Sequence, residues 1–379
     1  MIKGGKLYLG KGRIVSLTSI GIVYALLASF SYGYSFSSFM FASVIVSVYT
    51  YGILIVNSKR IPRIYLIALL GIVGISVING LVRGNILDPI SVSTSLILPL
   101  TIATLDFIDA DNYKMYIPCC IITIILVYVQ LKTSFLENYN VNTLGFILYM
   151  GSSFGIIWLK LSSNKLYPIT YLFLAFFLML KTDCRNAIIV MILMSILTFL
   201  PDKLYKIRWV FRTIYIVVLS YTILAFTILE FAFSNSFISK VLTYISLNFS
   251  TKTYGMFLRI QYFISVKDHL NSLSLVSKLI GRGVNDGSGH NMFYQGLFVY
   301  GFLGTFIIYT FYIKIFEMSY TLFKRNNDYV ALGCFIGLMG NLLLQGADEY
   351  LICNPTCVVM PFIMVGLVMS RYRVYKKRI

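Results

Sequence analysis

Apolar residues fill this chain in long blocks, parted by short polar clusters, along almost its whole length. A helix needs about 20 mostly apolar residues to cross roughly 30 Å of hydrocarbon. The pattern predicts about twelve transmembrane helices, at 14–33, 36–56, 64–82, 90–108, 115–131, 142–159, 166–181, 185–200, 210–233, 291–313, 329–346 and 354–370. One gap breaks the rhythm. Residues 234–290 contain no convincing span, and loops of such length inside a compact architecture usually carry function or are disordered. Order is expected here, because "MFLRIQYFISVKDHL" (256–270) sets Met256, Phe257, Ile260, Phe263 and Ile264 at helical spacing. That spacing suits a short helix lying on the bilayer or capping the bundle. The expected fold is all-α and polytopic: one transmembrane helical domain over 1–379, with a large external loop at 234–290.

Composition sharpens this picture. The chain is 58% hydrophobic and 12% charged, whereas a soluble domain is about one quarter charged. The net charge of +18 raises the question of nucleic acid, but the cations sit between spans, where the positive-inside rule puts them. With the N-terminus cytoplasmic, the inside segments hold Lys59, Arg60 and Arg63, then Lys203, Lys206, Arg208 and Arg212, and the basic tail from Arg371 to Arg378. The short outside loops hold only Arg83, Lys132, Lys181 and Arg185. Both termini are therefore expected inside, and the 234–290 loop outside. No small-residue cleavage pattern follows the first apolar run, so no removable signal peptide is expected. The six cysteines show neither a secreted framework nor CxxC spacing, and no HExxH or His cluster points to a metal.

Candidate chemistry gathers at the outer ends. The long loop carries Lys240, Lys252, Arg259, Lys267, Lys278 and Arg282 against Asp268 and Asp286. Arg259 and Arg282 stand out because a guanidinium fork matches phosphate oxygens bidentately. Arg282 sits between Gly281 and Gly283, and glycines let backbone N–H groups approach an anion. Arg185 opens an apolar helix at an outer end, either as a functional charge or as a side chain snorkelling to headgroups. His290 stands where the loop meets a span. It can exchange a proton near neutrality, although a lone histidine at a span mouth is often only interfacial. His269 has no distinctive surroundings, so an ordinary loop role is favoured for it. Asp348 and Glu349 could act as a base or a sugar-binding pair, or be plain loop residues.

The order of these motifs resembles the bacterial O-antigen polymerase and O-antigen ligase family. The stretch is Gly281-Arg282-Gly283, then His290-Asn291 opening a span, then Gly301-Phe302-Leu303-Gly304 within it. Arg259 stands upstream, and Cys184-Arg185 occupies the place of a Ser-Arg-like motif, with cysteine in place of serine. The resemblance implies a GT-C-like membrane glycosyltransferase of the bacterial cytoplasmic membrane, with its site facing outward. It would join undecaprenyl-pyrophosphate-linked oligosaccharides, as donor and acceptor, into O-antigen, capsule or exopolysaccharide. The reaction would be a direct, inverting displacement without metal or cofactor. The implied roles are Arg185, Arg259 and Arg282 on the pyrophosphate, His290 as acceptor-hydroxyl base or positioning group, and Gly281, Gly283 and Asn291 in support. A flippase and a chain-length regulator are the implied partners. Three alternatives stay open: a ligase acting on a lipid or protein acceptor, a lipid-linked oligosaccharide flippase or other transporter, and a membrane scaffold. Transporters usually keep ionisable groups near the bilayer midplane; here Asp106 and Glu230 are the exceptions within the spans, and both lie near span ends.

Overall fold

The computed structural model describes residues 54–55, 57–82, 97–107, 111–133, 141–182, 184–234, 240, 264, 267–282, 291–346 and 355–378, together with 2–3, 6–7 and 14–15. The architecture is helical. Its main elements are α1 (Arg63–Val82), α2 (Ile117–Thr133), α3 (Val141–Leu161), α4 (Leu166–Thr182), α5 (Arg185–Phe199), α6 (Arg208–Ser234), α7 (Leu275–Ile280), α8 (Met292–Asn326), α9 (Tyr329–Gln345) and α10 (Pro355–Lys376). Among the described residues, five helical segments are long and apolar enough to cross a membrane: Arg63–Val82, Tyr113–Thr133, Leu144–Leu161, Arg208–Ala225 and Met292–Asn326. α4, α5 and α9 are apolar but shorter. The predicted spans at 14–33 and 36–56 lie almost wholly outside the described residues.

Three boundaries differ from expectation, the simplest being α10, which runs past 370 to Lys376. Within the predicted 90–108 span, the described helix covers 97–104, and Asp106–Phe107 instead pair in parallel with Ile14–Val15. The last carbonyls of that helix are taken by side chains: Arg60 Nη1 donates to Thr104 O at 2.8 Å, and Ser370 Oγ and Arg373 Nη2 donate to Leu105 O at 2.7 and 3.1 Å. α8 also continues past the expected end at 313, to Asn326, but it is broken at Gly301, whose φ of 67° and ψ of −173° are non-helical.

Two helices form the centre. In α3 residues 144–159 are all buried, and in α9 residues 330–342 are all buried. A helix that is apolar all round belongs inside. Small residues let these two meet. A Cβ added to Gly333 would stand 2.9 Å from Ile157 Cα, and one on Gly337 would stand 3.0 Å from Ser153 Cβ. Gly340 meets Tyr149, whose hydroxyl donates to Gly337 O at 3.0 Å. Other glycines of α3 face other neighbours: Gly145 meets Cys184 and Ala187 at the start of α5, Gly151 meets Thr123 of α2, and Gly155 meets Tyr171 of α4. Without a hydrophobic drive between helices in lipid, such close backbone approach is what holds them.

The outer helices turn apolar side chains outward. Ile64 and Ile67 of α1, Phe173 and Phe177 of α4, Ile189 and Ile196 of α5, and Phe302 and Phe306 of α8 are all exposed. A soluble protein rarely shows such a belt. Around a bundle with spanning helices it is the face that meets lipid, so the protein is membrane-embedded.

Charge collects at one end of the bundle. Lys160 pairs with Asp202 at 2.8 Å, Lys206 Nζ donates to Asn327 Oδ1 at 2.6 Å, and Arg212 and Tyr215 share Glu317 Oε1 at 2.7 and 2.9 Å. Arg371 spans Asp328 and Asp111 at 2.6 and 2.8 Å, while Asp328 caps α9 through Ala331 N. Between α3 and α4, burial and the nearby Lys160 lower the pKa of the Lys165 ammonium from its usual value, with Asp202 opposing them. These bonds gather the ends of α3, α6, α8, α9 and α10, whose connecting segments were expected on one side.

If the glycine contact between α3 and α9 is what holds the centre, Gly333→Leu will cost about 1–3 kcal/mol through overpacking or prevent folding. Tyr149→Phe, which removes one buried hydrogen bond, will cost about 1 kcal/mol. Thermal unfolding of the purified variants in detergent checks both, and an unchanged midpoint for Gly333→Leu would refute the account.

Candidate functional site

The opposite end is organised by Asn291. Its backbone is extended, it precedes α8, and its side chain is fully buried. Oδ1 accepts from Phe293 N at 2.8 Å and Tyr294 N at 3.3 Å, satisfying two of the donors a helix start leaves open. Nδ2 donates to Thr222 O of α6 at 2.9 Å and to Gly346 O, just past α9, at 2.7 Å. An amide suits this position because it carries donors and an acceptor together without charge. Thr222 also bonds Tyr309 of α8 at 2.6 Å, and Asn186 Nδ2 donates to Leu344 O at 3.2 Å. α5, α6, α8 and α9 are thereby tied together at this end, with Arg185 exposed at the first position of α5.

Gly281 and Gly301 form a clasp. α7 begins with Ser274 capping Ser277 N at 3.2 Å and ends on Gly281, whose φ of 76° favours glycine. A Cβ on Gly281 would meet the backbone of Val299, Tyr300 and Gly301; one on Gly301 would meet the backbone of Leu279 and Gly281. Arg282 N donates to Phe298 O at 2.6 Å. In an unbroken helix that carbonyl would accept from Phe302, which lies past the kink.

This corrects the role expected of Gly281. Its N–H donates to Ser277 O at 2.8 Å, and the next N–H is on Phe298 O, so neither points freely at an anion. The glycine serves backbone contact with the kink. Gly301 is the kink itself. A Cβ on Gly304 would meet Tyr300 of the same helix, with Ile72 of α1 at 3.8 Å.

Arg282 reaches His269, with Nη1 hydrogen-bonded to Nε2. A guanidinium has no acceptor, so Arg282 is the donor in this bond. The imidazole also lies against Phe298, ring centroids 5.3 Å apart. Sequence reasoning set His269 aside. The only available signal was that His269 and Arg282 share the long loop, and 13 residues separate them. Arg282 therefore sits beside α8 about two turns in from Asn291. Cys184, in the serine-like place, is buried and makes no side-chain cap to α5. His290, Arg259, Gly283, Asp348 and Glu349 lie outside the described residues.

Asn291→Ala removes the cap and both cross-links, so folded yield or melting temperature in detergent will fall, by about 1–3 kcal/mol where measurable. Asn291→Asp keeps the acceptor but sets a carboxylate against two carbonyls, and will not restore stability. Gly301→Ala will be destabilising as well, whereas retention of wild-type stability would remove the clasp from consideration. Set beside this geometry, no protein-family model and no curated protein matches the chain, so a functional reading rests on its own residues.

Proposed function

We propose that the protein is a polysaccharide repeat-unit polymerase: a membrane glycosyltransferase that joins undecaprenyl-pyrophosphate-linked oligosaccharides on the outer face of a bacterial cytoplasmic membrane. The observation that carries this reading is Arg282. A glycine clasp holds its backbone against the kinked start of α8, and its guanidinium meets His269. Rigid placement of a cation where charge develops is what a pyrophosphate leaving group requires. Arg185 stands at the same end of the bundle as Asn291, and the sequence sets His290 directly before Asn291.

In the proposed reaction a sugar hydroxyl of one lipid-linked chain attacks the anomeric carbon of another. The new glycosidic C–O bond forms as the bond to pyrophosphate breaks, with inversion. His290 takes the hydroxyl proton, and Arg185, Arg259 and Arg282 receive the charge on the departing lipid pyrophosphate. His269 orients the Arg282 fork and is a positioning residue.

Purified protein in detergent, given lipid-linked repeat units and no membrane gradient, will produce longer glycans. Failure to extend them would overturn the polymerase reading. Arg282→Ala and His290→Ala will each lower extension by roughly 10²-fold or more while the protein remains folded. His269→Ala will weaken extension, and His269→Gln, whose amide oxygen can accept from Arg282, will recover part of it. No recovery would remove the positioning role.

A further inference from the structure

Between α1 and α8 lies an apolar groove of about 220 Å³. Ile67, Gly71 and Ile75 form one wall, Leu303 and Ile307 the other, and Ile280 at the end of α7 closes the top. Its floor is open at Gly71, where an added Cβ would meet nothing within 4 Å. Its lips face outward: Ile67 is 69% exposed and Leu303 52%. The groove is thus continuous with the lipid-facing belt, and hydrocarbon is the medium that meets it.

The top of the groove is basic. α7 exposes Leu275, Val276 and Leu279 yet carries Lys278, whose Nζ is steadied on Asn271 O at 3.0 Å. The helical turn before it carries Lys267, and Arg282 follows Gly281; across 267–282 the only acid is Asp268. Exposed apolar side chains beside lysines mark a segment that lies in the membrane interface, where clustered cations attract anionic headgroups. Ile280 belongs both to this segment and to the groove.

We propose that the α1–α8 groove holds one acyl chain of an anionic phospholipid from the surrounding bilayer, with its headgroup on the basic edge at Lys267 and Lys278. The lipid would pack α7, and through it the Gly281–Gly301 clasp, against the bundle. The headgroup contacts proposed here, Lys267 and Lys278, take no part in the proposed glycan chemistry, and their test reads lipid rather than turnover.

The full-length protein is incubated in detergent with equal phosphatidylglycerol and phosphatidylethanolamine, and retained lipid is counted by native mass spectrometry. Wild type will keep one phosphatidylglycerol in preference to phosphatidylethanolamine. Gly71→Leu, which fills open space, will lose that retained lipid. The double variant Lys267→Gln/Lys278→Gln will keep a lipid but lose selectivity, by about fivefold per lysine. Should Gly71→Leu not fold, Ile67→Trp obstructs the groove from its exposed lip. Equal retention of both lipids by wild type, undiminished phosphatidylglycerol on the groove-filled variant, or stoichiometric displacement by a polyprenyl phosphate would each overturn the proposal.

Discussion

Where α3 passes α9, the two backbones come so close that Ile157 Cα stands 2.9 Å from the place a Cβ on Gly333 would take. Lipid gives no reward for bringing two apolar helices together, because each is as well solvated by acyl chains as by the other. Dispersion between closely packed backbones, and polar bonds that have no water to compete with, supply the drive instead. Tyr149 adds such a bond by donating to Gly337 O from within the contact. Because the glycines of α3 also meet α2, α4 and α5, this helix positions three further neighbours.

The candidate site depends on that centre through a short chain of contacts. α9 ends at Gly346, whose carbonyl accepts from Asn291, and Leu344 accepts from Asn186 at the start of α5. Asn291 then fixes where α8 begins relative to α6. A loss of packing at Gly333 would therefore reach the mouth of α8 without altering any residue there. The charged end answers to different forces. Its more exposed ion pairs, Arg208–Glu317 and Arg212–Glu317, contribute little individually, whereas Arg371–Asp328 is largely buried. Their effect is to fix which helix ends lie together.

Sequence reasoning reached the helical segments because apolar block length is a local property. It placed α1 and α2 to within about two residues, and it located the opening of α8 at Asn291 correctly. It did not reach the clasp, since Gly281 and Gly301 are brought together by folding, and a glycine in a sequence does not say whether it serves a ligand, a turn or a neighbouring backbone. The same limit hid His269. Its meaning comes from Arg282 and Phe298, neither of which shares a helical repeat with it. Asn291 was legible as a helix-opening residue, but its bonds to Thr222 and Gly346 span 69 and 55 residues.

The break at Gly301 follows from the membrane as much as from the site. A straight helix of 35 residues would run about 52 Å, far beyond a hydrocarbon core of roughly 30 Å. The burial pattern changes at the break. From Gln295 to Gly301 every residue is buried, whereas Phe302, Leu303 and Phe306 face outward. Irregular backbone at membrane depth survives only where protein satisfies its polar groups. Arg282 N does this for Phe298 O, and the bare Cα of Gly281 lets the strand of chain come near enough to do so. The loop that carries Arg282 is therefore required by the kink, and the kink holds the backbone of Arg282 in place. A mutation at either glycine should disturb stability and the placement of Arg282 together, because one set of backbone contacts serves both.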